Sequence, residues 1–361
     1  MTDLATQSQQ EYIYDPSFQG QPSKTNGGSV LYNFFKQMRW GMDLTSITCP
    51  AFVLRPQSQL EVQSHIASFT DNLLQLSSEP DPRRRMKIVS QWALNAMSHL
   101  PQDGFERVKP YNPILGERFI CAWQHKDGTT TSLLSEQVSH HPPISGMYVR
   151  NDTHNITYSS TQQMQVQFKG NHIDSKIAGT HVLDCLPVNG TQIERYIIEF
   201  PLIIARGIVW GNSHVELGEK LLIRCDSTQT MCEATFKSDN YLDGRLTQNG
   251  LVYSKFSGKL LESVKYDGES FVVSQQSECP IQINSLMQSE VNDSRRVWHD
   301  VTFALQSGDN DSAASYKNNV EEAQRVLART RVFEPRYFTM VQGTEGNVPP
   351  LFQFVGDKQA L

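Results

Sequence analysis

The 361-residue sequence has no apolar run long enough to cross a bilayer and no motif of paired cysteines. A transmembrane helix needs about 20 mostly apolar residues in a row, so none is predicted, and the N-terminus lacks the apolar core of a signal peptide. Without CxxC spacing, a disulfide framework and a zinc ribbon are both disfavoured. The cysteines are scattered: Cys49, Cys121, Cys185, Cys225, Cys232 and Cys279. We therefore expect a soluble protein in the reducing cytoplasm.

Positive charge is also scarce, since the formal net charge is −6. Nucleic-acid binding requires a basic surface, so the sequence predicts no nucleic-acid partner. The clearest basic run, Arg83 to Arg85 with Lys87, opens a predicted helix. A solvated helix face is the simpler interpretation of this run, and attraction to an anionic membrane is the alternative.

The first hundred residues have helical patterns. Residues 1–28 are rich in Gln, Ser, Gly and Pro, which is typical of a mobile tail. From Ser29, apolar residues at three- and four-residue spacing predict a short amphipathic helix within residues 29–44. Its apolar face includes Leu31, Phe34, Phe35 and Met38. The same periodicity predicts helices over residues 58–76 and 83–100.

Beyond Gly116 the pattern changes to β-structure. Short apolar segments separated by Gly, Asp, Asn or Pro predict a long antiparallel meander. The segments are FICAW, TTTSLLSEQVS, ISGMYV, NITYSS, MQVQFKG, RYIIEFPLIIA and KLLIRC. Because closure removes exposed edges, we expect a large barrel over residues 116–290 with room inside. From Asp311 a helix returns, and Pro335 breaks it.

The segment EQVSHHPPIS, residues 136–145, places two imidazoles on a stiff connection. His141 precedes Pro142 and should be extended, and Pro142-Pro143 excludes helix and central strand. His140 and His141 can donate to a phosphate, bind a metal or satisfy carbonyl groups in a turn. The zinc interpretation, which would make the chain a hydrolase, lacks accompanying ligands because no HxxxH, HExxH or cysteine pair is present.

Two further segments carry side chains that suit an anion. In KPYNPILGE, two prolines stiffen a turn that holds Lys109 and Asn112 three residues apart. In the late helix, Lys317, Glu321 and Arg325 are spaced four apart and share one stripe of the helix surface. An ordinary exposed turn would look similar to the first pattern, and a salt-bridged solvated face is the favoured interpretation of the second when it is taken alone. A phosphate site becomes the better interpretation only if both segments meet the histidines.

These three segments resemble the signature motifs of the oxysterol-binding protein-related family. EQVSHHPP is its fingerprint, and the likeness extends through RGIVWG, SRRVWHDVT and PRYF, so that it covers residues 29–361. The resemblance implies a mainly β (α+β) fold: a nearly complete antiparallel β-barrel around a hydrophobic lipid tunnel. A lid at residues 29–44, helices at 58–100 and a helical C-terminal part at 311–361 would surround it.

The resemblance also implies the ligand and its site. The shared ligand is phosphatidylinositol 4-phosphate, and the residues that match the headgroup site are Lys109, Asn112, His140, His141, Lys317, Glu321 and Arg325. A phosphomonoester carries about −1.5 to −2 charges at neutral pH, which converging donors can bind. We expect Glu321 to position Lys317 and Arg325 or to accept from an inositol hydroxyl.

The exchanged lipid is less defined by the resemblance. Family members exchange the phosphoinositide for a sterol or for phosphatidylserine, and Cys49-Pro50-Ala51 departs from the leucine-proline form of phosphatidylserine carriers. We expect sterol exchange between cytosol-facing membranes, with phosphatidylserine exchange or a lipid-regulated sensor as alternatives. The resemblance is to the short form, which consists of the ligand domain alone. It implies a monomer without enzymatic activity, cofactor or metal that touches membranes transiently.

Overall fold

The computed structural model describes residues 38–44, 54–65, 71, 73–98, 109–188, 190–207, 214–272, 281–283, 289–330, 332–342 and 350–356. Helices within these residues are α1 Gln59–Ser64, α2 Pro82–Ser98, α3 Ser294–Val297, α4 His299–Gln306 and α5 Asn310–Thr330. No helix in the described part of the chain is both long and apolar enough to span a bilayer.

The strands dominate the fold. Along the chain they are β1 Leu54–Ser58, β2 Lys109–Tyr111, β3 Arg118–Gln124, β4 Thr130–His140, β5 Pro143–Asn151, β6 Ile156–Phe168, β7 His172–Cys185, β8 Glu194–Glu199, β9 Leu202–Arg206, β10 His214–Gly218, β11 Lys220–Cys225, β12 Thr230–Phe236, β13 Tyr241–Gln248, β14 Leu251–Lys259, β15 Ser263–Tyr266, β16 Glu269–Phe271, β17 Ile281–Gln282, β18 Phe338–Gln342 and β19 Leu351–Phe354.

Fifteen strands form one antiparallel sheet. Its order is β16-β15-β14-β13-β12-β11-β8-β7-β6-β5-β4-β3-β17, with β9 and β10 attached beside β7. Most neighbours in this order are consecutive in the chain, as a meander requires. The described residues record no pairing between the two end strands, β16 and β17. The antiparallel, mainly β architecture predicted from the sequence is confirmed.

The meander gives the sheet two ends, because successive turns lie at opposite ends of antiparallel strands. The turn after His140 and the turn after Phe168 lie at one end, which we call the His140 end. The turns that follow Gln124, Cys225 and Gln248 lie at the opposite end. Strand β6 has 13 residues, so at about 3.3 Å per residue the two ends are roughly 40 Å apart along it.

Three clusters of buried side chains hold the elements together. The largest joins α2 to the strands, with Trp92 edge-on to Tyr158 at 5.7 Å between ring centroids. A second packs α4 and α5 onto β1 and β2. In the third, the hairpin β18–β19 covers β4 and β5, where Phe338 lies against Gly146. A Cβ at Gly146 would be 2.8 Å from the Phe338 ring, so the close approach requires glycine.

Several predicted elements agree with the structure and others differ. The helices predicted from Arg83 and Asp311 correspond to α2 and α5. Of the helix predicted over residues 58–76, Gln59–Ser64 form α1, residues 66–70 and 72 lie outside the described residues, and the predicted end is wrong because residues 73–78 form turns. NITYSS and MQVQFKG belong to the single strand β6, whereas RYIIEFPLIIA is split before Pro201, which cannot donate to a ladder.

The C-terminal part also differs from its predicted helical character. Helix α5 ends at Thr330, before Pro335, as the sequence indicates. The chain then forms the two-stranded hairpin β18–β19 instead of further helix. The backbone N–H groups of Arg336 and Tyr337 donate to the Glu136 carboxylate at 2.7 and 2.9 Å. These contacts fix the hairpin to the strand that carries His140.

Candidate functional site

The two histidines lie on the tight connection between β4 and β5. His140 is the last residue of β4, Pro143 is the first of β5, and the His141–Pro142 peptide is cis. The Ser139 hydroxyl donates to the carbonyl of Pro142 at 2.8 Å and closes the turn. The imidazoles meet edge to face, with His140 Nδ1 3.2 Å from His141 Nε2. Both rings thus lie at a non-helical turn, as predicted. The expectation that Pro142-Pro143 excludes a central strand is wrong, because Pro143 pairs with His140 and begins β5, which lies between β4 and β6.

The environment of His140 disfavours its charged form. Burial, and then the neighbouring His141, lower the pKa of His140 below its ordinary 6.5, while the Glu321 carboxylate acts in the opposite direction. His140 is half-buried and His141 is exposed. The influence of Glu321 shows that α5 lies close to the β4–β5 turn. The sequence stripe and the histidines are therefore neighbours in space.

The KPYNPILGE segment is held by its aromatic residue. Tyr111 of β2 stacks on Trp298 with 4.7 Å between ring centroids, and its hydroxyl lies 3.0 Å from the Thr302 hydroxyl. Strand β2 pairs in parallel with β1 through Leu54 and Lys109. Lys109 and Asn112, at either side of Tyr111, are half-buried. The tyrosine anchor thus fixes where these two polar side chains leave the backbone.

Glu117 connects this segment to the rest of the site. Its fully buried carboxylate accepts from the Ser58 hydroxyl at 2.5 Å, the Ser294 hydroxyl at 2.7 Å, Trp298 Nε1 at 2.9 Å and the Ile114 N–H at 3.0 Å. Burial raises the pKa of Glu117 above its ordinary 4.5, although each donor lowers it. One carboxylate therefore joins β1, the turn and α3, a role that the sequence motif did not reveal.

The turn that ends at Glu117 is also hydrogen-bonded to β4, the strand that carries His140. The Gly116 N–H donates to the Gln137 carbonyl at 2.9 Å, and the Gln137 N–H donates to the Glu117 carbonyl at 2.8 Å. Gln137 precedes His140 by three residues. The segment with Lys109 and the segment with the histidines consequently form one rigid unit.

Helix α5 supplies the third segment. Its buried residue Ala313 joins the cluster of Leu54 and Tyr111, which places the helix on β1 and β2. One turn later, the buried Lys317 ammonium contacts the Glu321 carboxylate. The exposed Arg325 guanidinium lies 3.7 Å from Glu321 and 2.7 Å from Glu322.

The structure thus brings the three segments together. Glu321 acts on His140, and the packing of Tyr111 with Ala313 links the Lys109 segment to α5. Lys317 is paired with Glu321, a contact that a positioning carboxylate and a salt-bridged helix face would both show. Arg325 lies at the exposed margin, where its nearest acidic partner is Glu322. The arrangement can present cations and imidazole N–H groups to one anion.

An apolar cavity of about 140 Å³ lies inside the sheet. Arg55 and Gln59 line it and belong to β1 and α1, so the cavity adjoins the strand pair that carries Lys109. Its other lining residues are mostly apolar, among them Met164, Ile177 and Phe200. The volume is below the roughly 300 to 1,000 Å³ that is typical of ligand pockets. Residues 45–53 and 66–70, next to β1 and α1 in the chain, lie outside the described residues.

Two side chains that line this cavity, Gln63 and His181, have a buried polar atom without a hydrogen-bond partner, and His181 lies on β7. Its Nδ1 lies 2.9 Å from the Tyr158 hydroxyl, while its Nε2 is buried without a hydrogen-bond partner. Burial lowers the pKa of His181 to about 4, so the ring is neutral at pH 7. An unpaired buried nitrogen is costly unless a ligand or water meets it. Strand periodicity alone did not distinguish His181 from other residues of β7.

Part of the predicted lid is described. Residues 41–44 pair with the end of β6, where the Gly41 N–H donates to the Phe168 carbonyl at 2.7 Å. Trp40 is 76% exposed, and the Lys169 ammonium lies 5.3 Å from its ring centroid. Met38 is half-buried. The predicted lid residues Leu31, Phe34 and Phe35 lie outside the described residues.

No cluster of three His, Cys, Asp or Glu side chains with metal-binding geometry occurs among the residues that the structure describes.

Comparison with known proteins identifies the family. The model of the family described as oxysterol-binding protein matches residues 31–303. Human oxysterol-binding protein-related protein 5 is 32% identical over 328 residues, which cover 84% of this chain and 36% of that protein. Oxysterol-binding protein homolog 6 of Saccharomyces cerevisiae is 30% identical over 338 residues, with coverage of 87% and 74%. The chain thus spans about a third of the human relative.

The fold has solved counterparts. The Osh1 ORD domain in complex with cholesterol superposes with a TM-score of 0.74 at 23% identity, covering 90% of this chain and 86% of that one. The Osh3 ORD of Saccharomyces cerevisiae in complex with PI(4)P gives 0.73 at 20% identity, covering 91% and 89%. These likenesses concern the fold. With the sequence matches, they show that the chain belongs to the oxysterol-binding protein family.

Proposed function

We propose that this chain is a lipid transfer protein that carries phosphatidylinositol 4-phosphate in one direction and a sterol in the other between cytosol-facing membranes. What supports the proposal is the packing that joins the Lys109 segment to the helix of Lys317, together with the influence of Glu321 on His140 and an apolar cavity beside β1. A phosphoinositide consists of a charged headgroup and apolar acyl chains. The polar side chains would suit its headgroup, and the apolar cavity would suit its chains. The transfer itself makes and breaks no covalent bond.

The headgroup site combines different kinds of donor. Lys317 and Arg325 supply positive charge, His140 and His141 supply imidazole N–H groups, and Asn112 supplies an amide. Without ligand, Lys317 is neutralised by Glu321. An arriving phosphate competes for that ammonium, and Glu321 is then available to an inositol hydroxyl.

The sterol assignment rests on the cavity and on relatives. The Osh1 ORD domain was solved with cholesterol and the Osh3 ORD with PI(4)P. In this chain, the unpaired Nε2 of His181 lies in an apolar cavity, where a single lipid hydroxyl would satisfy it. Phosphatidylserine is kept as the alternative, because polar side chains such as Arg55, Gln59 and Gln162 also line the cavity.

Membrane contact completes the cycle. Trp40 is exposed at the His140 end beside Lys169, and an aromatic ring with a nearby cation suits the interface of an anionic bilayer. We infer transient docking at this end by an otherwise cytoplasmic monomer, with the segment at residues 29–44 acting as a lid.

Vesicle transfer assays test the proposal. Donor vesicles that contain a fluorescent sterol are mixed with acceptors that contain phosphatidylinositol 4-phosphate, and both lipids are followed. We expect each lipid to accelerate the transfer of the other. A protein that binds the phosphoinositide but moves lipid no faster than buffer would be a sensor. Mass spectrometry of copurifying lipids decides between sterol and phosphatidylserine, since phosphatidylserine alone would refute the sterol assignment.

A further inference from the structure

Helix α5 has a second face that the headgroup site does not use. The side chains buried in the fold are Ala313, Lys317 and Gln324. Beside them, Tyr316, Val326 and Leu327 are 41%, 49% and 41% exposed. At 100° per residue, these three side chains and Ala323 fall within one arc of the helix surface. We call Tyr316, Ala323, Val326 and Leu327 the apolar arc.

The region of the arc is basic although the chain is acidic. Residues 322–332 contain three arginines and one glutamate, whereas the whole chain carries a net charge of −6. The glutamate, Glu322, is paired with Arg325 at 2.7 Å. Arg329 is exposed in the last turn of the helix. An exposed apolar arc flanked by arginines is complementary to an anionic bilayer surface.

The arc also lies close to the headgroup site. Leu327 follows Glu321 by six residues, which is about 9 Å along the helix axis. Glu321 in turn acts on His140 at the β4–β5 turn. A lipid whose headgroup reaches this turn while its chains are still in a bilayer brings that bilayer within reach of the arc.

We propose that the apolar arc of α5 lies in the interface of an anionic membrane while the protein loads or releases its phosphoinositide. This inference rests on the proposed function and adds a docking surface to it. The helix then has two tasks: Lys317 and Glu321 receive the headgroup, and Val326 and Leu327 enter the interface beside it. Arg329 contacts lipid phosphates, and a basic side chain near an anionic surface contributes roughly fivefold to binding.

The test compares two ends of the molecule. V326D/L327D places two acidic groups in the arc, and L251D places one at the opposite end, where Leu251 is 76% exposed. Co-sedimentation is measured with phosphatidylcholine vesicles with and without phosphatidylserine. We expect V326D/L327D to bind the anionic vesicles about tenfold or more weakly than the native chain. L251D should bind as the native chain does, and equal weakening of both variants would overturn the proposal.

A second measurement separates docking from headgroup binding. Titration with a water-soluble, short-chain phosphatidylinositol 4-phosphate needs no membrane, so V326D/L327D should bind it like the native chain. If the native chain fails to bind this probe, the proposed function fails, whereas vesicle binding through the arc is judged independently.

Discussion

Replacement of Glu117 by alanine should be among the most damaging single changes outside the headgroup residues. The substitution removes the acceptor of four donors, from Ser58, Ile114, Ser294 and Trp298. Ser294 has another acceptor, the Arg118 carbonyl at 3.1 Å, so the other three donors lose a buried partner. Each unsatisfied group costs about 1–3 kcal/mol, so the three together cost about 3–9 kcal/mol before the neighbours relax.

We therefore expect E117A to lower the free energy of unfolding by about 4 kcal/mol, because the neighbours relax in part. The assay is denaturant unfolding, followed by circular dichroism. E233A is the control: Glu233 pairs with two cations, Lys220 and Arg245, but at the surface, where such pairs contribute less than about 1 kcal/mol. The reasoning is that burial of the carboxylate, and not its number of partners, determines how much stability is lost. It would be refuted if E117A lowered the free energy of unfolding no more than E233A does.

The pH dependence of E117Q provides an additional check on the same site. The pKa of Glu117 is raised in the folded state from its ordinary 4.5, so the folded state holds this proton more tightly. Its contribution to stability is present below pH 4.5 and is lost as pH rises through the raised value. E117Q should remove this part of the slope, which unfolding measurements across that range detect.

Three further predictions concern other sites. G146V should cost about 1–3 kcal/mol by overpacking against Phe338; thermal unfolding measures it, and the loss in G146V/F338A should be smaller than the sum of the two single losses. R85M should cost about 3–5 kcal/mol because it leaves the Glu194 carboxylate buried without its cationic partner; unchanged stability would contradict this. The pKa of His140 is lowered below 6.5, so its contribution to stability is lost as pH falls through the lowered value. Protonation of His140 should favour phosphoinositide binding over the same range, so in calorimetric titrations the affinity of H140Q should gain less as pH falls than that of the native chain.

The sequence predicted the parts of the fold that local patterns determine. Helices α2 and α5 have long apolar periodicity, and the prolines after His141 define their turn irrespective of the rest of the chain. The helix predicted over residues 58–76 does not reach its predicted end, because the spacing of Leu73 and Leu76 suits turns as well as a helix. Apolar periodicity cannot distinguish a helix from a series of turns where tertiary packing determines which of them forms.

The site could be predicted only by resemblance. Spacing along α5 showed that Lys317 and Glu321 share a face, but their approach to His140 depends on packing of Tyr111 against α4 and α5. Such long-range contacts leave no local signal. His181 was missed for a similar reason, because alternation along β7 gives the face of a residue and not the space in front of it.

The claim that the β4–β5 turn binds the phosphoinositide headgroup is tested most directly by lipid extraction. The native chain, H140A/H141A and H154A are each incubated with vesicles that contain phosphatidylinositol 4-phosphate and a sterol, and both lipids are measured in the soluble fraction. H154A is the matched control because His154 lies at the opposite end, paired with Asp127. We predict that H140A/H141A loses phosphoinositide extraction and retains sterol extraction, while H154A retains both. Equal loss of both lipids in H140A/H141A, or no loss, would contradict the assignment.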